Sequence, residues 1–247
     1  MFSTMNRMTC QLAGLALSAV LVSTAAPAFA QSAPADWEVV LSPYMMGAAM
    51  SGTTTVRGRV ADVDVSASDI FSNLQFGVMG MGAARKGNWG VGGDAIYMAL
   101  GTTVREINVD FNQGGFAFYG LRRLGAAADL TFGMRINTLS GELDFKRLGV
   151  SVEQSKAWVD PLVGLLLRTP GTHRLGFRLY TEIGGFGMGS DFTWQAFPVL
   201  MFRVTEKASL DLGYRWLDID SAAGEGNETF AYDVLSQGPV LGMTIKF

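Results

Sequence analysis

Apolar residues recur at every second position along this chain, in ten segments of roughly ten to fifteen residues. Successive side chains of a strand project to opposite faces, so period two is the mark of a strand with two unlike faces. The segments begin at Trp37, Asn73, Gly90, Val109, Ala127, Val152, His173, Phe192, Ala208 and Phe230. Helical periodicity is scarce. Past residue 30 the longest apolar run is "PLVGLLL", Pro161 to Leu167, far short of the roughly 20 residues a membrane helix needs. The pattern predicts an all-β, antiparallel chain.

The connections alternate in kind. "KGNW" (Lys86 to Trp89), "RLGA" (Arg123 to Ala126), "TPGT" (Thr169 to Thr172) and "TEK" (Thr205 to Lys207) are tight and rich in turn formers. The intervening connections are mostly longer: Ala49 to Ser72, Lys146 to Gly149, and Ser221 to Thr229. The exception is the short link at Arg105 to Asn108. Tight turns at one end and variable loops at the other are the asymmetry of an up-and-down transmembrane β-barrel. Ten strands are expected, with eight or twelve as alternatives. Twelve would follow if "TVRGRVADVDV" (Thr55 to Val65) is a hairpin that crosses the bilayer. "SASDIF" behind it reads as a short capped helical turn.

Alternation alone does not say which face meets lipid. The polar face carries six acids, Glu38, Asp94, Asp129, Asp160, Glu182 and Asp211, and six arginines, Arg85, Arg135, Arg168, Arg178, Arg203 and Arg215. The opposite face reads Trp37, Val39, Leu41, then Leu130, Phe132, Met134, Ile136, then Leu210, Leu212, Tyr214, Trp216, almost without charge. Only 17% of the chain is charged, less than a soluble barrel needs to cover its outside. The apolar face is therefore expected outward, in lipid, with Trp37, Trp194, Tyr214 and Trp216 near its edges as interfacial aromatics. The balanced arginines and carboxylates are then expected to pair across the lumen. Ten strands leave little free space, since wide channels come with about sixteen.

Residues 1–30 read as a signal peptide: Arg7, the apolar Leu12 to Val22, and the A-x-A site Ala28-Phe29-Ala30 before Gln31. The barrel domain is expected over 31–247. Cys10, the single cysteine, falls inside that peptide, and His173 is the single histidine. Zinc, copper and haem sites of ordinary composition need more of both, and no cofactor is expected. A net charge of -3 argues against a nucleic-acid partner.

Chemistry has few candidates. His173 falls in a tight turn, at the end away from the outer surface. Asp62/Asp64 and Asp218/Asp220 are i, i+2 pairs near the other end; they either hold a divalent cation that bridges lipopolysaccharide phosphates or are solvated charge. "GGFGMGSDF" lacks the Lys-Ser/Thr of a phosphate loop. Its Gly185, Gly187 and Gly189 read instead as small residues on one strand face.

"WVDPLVGLLLR" (Trp158 to Arg168), "EIGGFGMGSDFTWQ" (Glu182 to Gln195), "YRWLDID" (Tyr214 to Asp220) and the final "GPVLGMTIKF" resemble outer-membrane β-barrel proteins of Gram-negative, particularly alphaproteobacterial, bacteria. More loosely, the chain is similar to small barrels of the OmpA and OmpW type. The resemblance implies fold and location, and no activity. Outer-membrane lipid and lipopolysaccharide are then the expected surroundings. The terminal alternation Leu241, Met243, Ile245, Phe247 resembles the signal read by the barrel-assembly machinery. The expected function is a structural barrel or narrow small-solute channel. The alternatives are a barrel enzyme acting on lipid or peptide, and a soluble periplasmic ligand-binding barrel.

Overall fold

The computed structural model describes residues 36–247 apart from 57, 105–106, 146–149, 172 and 225–228. The expected signal peptide and the Lys146 to Gly149 loop lie outside the described residues. The strands are β1 (Glu38–Met46), β2 (Ala49–Val56), β3 (Arg59–Val65), β4 (Leu74–Lys86), β5 (Trp89–Val104), β6 (Ile107–Arg123), β7 (Ala128–Phe145), β8 (Val150–Arg168), β9 (Leu175–Gly184), β10 (Phe192–Arg203), β11 (Ala208–Ala223) and β12 (Phe230–Lys246). Among the described residues one helix, α1 (Ala67–Asn73), joins β3 to β4.

Each of β4 to β12 pairs antiparallel with the next, and β1 closes the ring between β12 and β4. β1 and β2 act as one wall strand. β1 pairs with β12 from Val40↔Lys246 to Met46↔Val240, and β2 resumes the same register at Ala49↔Gln237. Gly47 N–H bridges the break by donating to the Pro239 carbonyl at 2.9 Å. The wall is thus ten strands, and the Thr55 to Val65 segment does not raise the count to twelve. Its first limb extends β1, and its second, β3, pairs only with β2.

That arrangement leaves a gap in the ladder. β1 holds β4 only from Glu38↔Arg85 to Pro43↔Gly80, and β3 joins β2 from Met50↔Val65 upward. Between these, residues 44–49 have no strand on that side. α1 lies there, capped by Ser66, whose hydroxyl accepts from Asp69 N–H while the Asp69 carboxylate accepts from Ser66 N–H. Those Ser66 hydrogen bonds hold the Asp69 carboxyl below its ordinary value. Ile70 is buried and Phe71 is exposed beside Gly47. The helix supplies its own backbone hydrogen bonds where an open strand edge would waste them.

The faces fall as the alternation predicts. Leu41, Val78, Val91, Phe118, Phe132, Met134, Leu200, Leu210, Leu212 and Leu241 are exposed on the outside. Asp129, Asp160, Arg135, Glu182 and Arg215 are buried inside. β7 and β8 run 18 and 19 residues, whereas about 9–11 cross a bilayer. The tall walls therefore rise well past the apolar band at the loop end. β9 and β10, at 10 and 12 residues, leave a notch in that rim.

Candidate functional site: the barrel lumen

The lumen is organised in three levels. At the turn end Asp129 on β7 sits between two arginines. It accepts from Arg85 at 2.8 Å and also pairs with Arg168. Arg123 lies 3.8 Å from Glu38 at the mouth. A vestibule of about 210 Å³ opens here, lined by Arg85, Arg168, Arg178, Tyr119, Tyr180 and Lys246 among others. Arg203 stands apart from these pairs; it donates to the Gly171 carbonyl at 3.5 Å.

At the middle level charged side chains cross the lumen. Arg215 on β11 donates to Asp94 on β5 at 2.5 Å and to the Tyr44 hydroxyl on β1 at 2.5 Å, and it also bonds Gln195 on β10. β12, β1 and β4 separate β11 from β5 round the wall, so the guanidinium spans the lumen. Its side chain is 1% exposed. Tyr44 also donates to Asp94 at 2.8 Å and packs its ring 5.7 Å from Phe197. Beside it Arg135 pairs with Glu182, which accepts from the Tyr180 hydroxyl at 2.5 Å. Tyr180 in turn lies 5.4 Å from Tyr119. Just below, Asp211 accepts from Thr244 at 2.5 Å and from Ser209 at 2.8 Å, with Arg178 at 3.5 Å. Burying charge without a partner is costly; here each named carboxylate meets a cation or several neutral donors.

Asp160 belongs to the second kind. It accepts from Asn137 at 2.6 Å, from Ser190 N–H at 2.5 Å and from the Ser190 hydroxyl at 2.9 Å. Ser190 arrives on the loop between β9 and β10. β9 ends at Gly184, and Gly185, Phe186 and Gly187 all take positive φ, at 86°, 51° and 73°. The three glycines thus do not share a strand face, contrary to the alternation read in the sequence. The segment is a turn folded onto the lumen. A Cβ at Gly189 would run into the Val159 carbonyl, so glycine is what lets Ser190 reach Asp160.

Above this plug the inward residues turn apolar. Met46, Met98, Ile96, Leu217 and Ile219 line a small cavity directly over Arg215. Trp158 on β8 then meets Phe230 and Tyr232 on β12, with ring centroids 6.0 and 6.1 Å apart, and donates from Nε1 to Ser190 at 2.9 Å. Beyond them a cup of about 620 Å³ opens at the loop end.

No protein-family model matches the sequence, and no curated protein matches it. Solved structures do. The outer membrane protease OmpT of Escherichia coli is similar in fold, with a TM-score of 0.54 and 9% identity over 87% of this chain and 98% of that one. Ail, the attachment invasion locus protein of Yersinia pestis, solved with the heparin analogue sucrose octasulfate, aligns over 85% of this chain and 98% of its own at 13% identity and a TM-score of 0.41. Neisserial surface protein A aligns over 88% and 100% at 12% identity and a TM-score of 0.34. Identities this low speak to fold alone. This is the outer-membrane β-barrel fold. A closed ring with an apolar outside and a charged inside belongs in the outer membrane, where such barrels keep short turns periplasmic and longer loops outside. The plug therefore has a periplasmic vestibule beneath it and the cup faces out.

All twelve charged residues expected on the polar face lie on the inner wall, and ten of them enter five ion-paired groups: Arg85–Asp129–Arg168, Arg135–Glu182, Arg178–Asp211, Arg215–Asp94, and Glu38 with Arg123. Asp160 uses neutral donors and Arg203 a carbonyl. Sequence reading missed Arg123 and the neutral members Tyr44, Tyr180, Asn137, Ser190 and Gln195. The parity of Tyr44 with Ser42 and of Tyr180 with Arg178 was available; which wall each would meet depends on register between distant strands. His173 lies in the turn before β9, at the periplasmic end. Asp62, Asp64, Asp218 and Asp220 lie on the outward face near the outer rim, opposite Thr53, Ser51, Leu235 and Asp233.

Proposed function

We propose that the protein is an integral outer-membrane barrel that does not conduct freely: a structural barrel whose lumen is closed at mid-height, with an outward-facing cup. One observation carries this reading. Arg215, at 1% exposure, bonds three other strands in the plane where a pore would have to pass. Water-filled porins are wider, at about sixteen strands or more. A narrow small-solute path would have to part the Arg215–Asp94 and Arg135–Glu182 pairs.

Membership in the alphaproteobacterial group of barrels is part of this proposal. So are its surroundings: outer-membrane lipid and lipopolysaccharide around the apolar band, and the barrel-assembly machinery acting on Leu241, Met243, Ile245 and Phe247. Leu241, Met243 and Phe247 are exposed on the outer side of β12 and its end, which suits recognition before insertion. A non-enzymatic role is favoured because the one imidazole, His173, and the outer-rim aspartates occupy opposite ends of the barrel. Liposome swelling tests the closed lumen. Proteoliposomes should swell in isotonic arabinose no faster than empty vesicles; rapid swelling would count against closure.

A further inference from the structure

We propose that the outer cup is a binding site for a single-chain amphiphile with a carboxylate head, with that head at Lys156 and its chain against the apolar lining of the cup. The proposal rests on the reading that the lumen is closed beneath the cup, because only a floor turns the upper lumen into a pocket.

The cup's volume of about 620 Å³ falls within the ~300–1,000 Å³ usual for small-molecule sites. Register decides which lining side chains point into it. Met50, Leu100 and Leu139 face inward among the buried apolar groups. Val63 and Val65 on β3 share that side. Asp62 and Asp64 alternate with them and so point out, opposite Thr53 and Ser51. Asp110 and Glu142 sit opposite each other, and Asp110 accepts from Gln75 at 3.2 Å; they alternate with the inward Phe111 and Gly141 and likewise point out. Among the described residues that line the cup, Lys156 is therefore the one charged side chain turned inward. It lies over the Phe230 ring at 5.6 Å, and it enters none of the ion pairs among the described residues.

An apolar pocket with one inward cation on its wall selects a molecule of matching polarity: an apolar body and one anionic end. The exposed position of Lys156 lets a carboxylate stay partly hydrated while the chain leaves water. Met50 and Val65 on its flank mark where the β1–β4 ladder has parted and α1 fills the gap.

Trp158 at the cup's floor supplies the test. A variant with Trp37, Trp89, Trp194 and Trp216 changed to Phe leaves one reporter; in lipid nanodiscs it is titrated with dodecanoate brominated at mid-chain. The expected result is saturable quenching at one equivalent, about tenfold weaker with the methyl ester, since a charge-assisted hydrogen bond is lost. Lys156→Gln should weaken the acid by a similar factor and leave the ester unchanged. Brominated dodecyl phosphate separates a carboxylate site from a general anion site: binding as tight as the acid's would overturn the carboxylate assignment. Absence of saturable quenching, equal affinity for acid and ester, or indifference to Lys156→Gln would each overturn the site. Solute permeability tests closure separately, so failure of one reading is distinguishable from failure of the other.

Discussion

Arg215 holds its guanidinium among groups from three other strands, and its position explains why the inner face is rich in arginine. Arginine presents several donors in a fixed planar fork, so one side chain can satisfy Asp94, Tyr44 and Gln195 together. Lysine has the charge without that geometry. Asp94 is 4% exposed at its side chain, so removing its charge strands a buried cation. Asp94→Asn should lower stability by about 3–5 kcal/mol, read as a shift in the urea midpoint of the folded band on a cold gel. Little or no shift would mean that water reaches the pair. The pairing itself was only half legible in the sequence. Inward parity marked Asp94 and Arg215 as lumen residues, but 121 positions separate them. Their meeting depends on barrel closure and on the register of every intervening strand.

At the level of elements, period two located nearly every wall strand, because each has one lipid face and one lumen face along its length. Two elements departed from it for physical reasons. β9 stops at Gly184 because Gly185, Phe186 and Gly187 adopt positive φ and turn the chain inward. Alternating glycines mimic strand alternation and hide such a turn. β2 and β3 read as an added hairpin, yet β2 keeps β1's register on β12 and β3 covers only the upper rim. The break at Gly47 and Ala48 is too short to show as a turn. β12 anchors both partners, pairing with β1 below and β2 above, and Phe247 N–H ties its end to the Val39 carbonyl at 2.9 Å. Deleting Phe247 removes that closing contact and the proposed assembly signal together. The amount of heat-modifiable protein in isolated outer membranes should fall severalfold; an unchanged amount would argue that the end is neither read nor needed.

Across the membrane band the barrel is inverted, with apolar residues outward and charges within. Lipid makes that arrangement stable, since the outer wall offers alternating side chains and no free polar backbone across the band. Leu212, 59% exposed on β11, sits in that band. Leu212→Arg should cost about 2–4 kcal/mol near the membrane midplane, measured by unfolding from phospholipid vesicles; a neutral effect would point to an outside wetted by water. The sequence made the inversion legible through its low charge and one-sided alternation. The cup was not legible, because Lys156, Leu139, Val65 and Phe230 come from four strands and meet only once the barrel closes.

Closure of the lumen is tested most directly by single-channel recording in planar bilayers, comparing the wild-type protein with a variant whose Tyr44, Arg135 and Arg215 are replaced by glycine. The wild type should give a silent baseline and the variant steady conductance steps. Large, steady steps from the wild type would contradict a lumen closed by Arg215 and its partners.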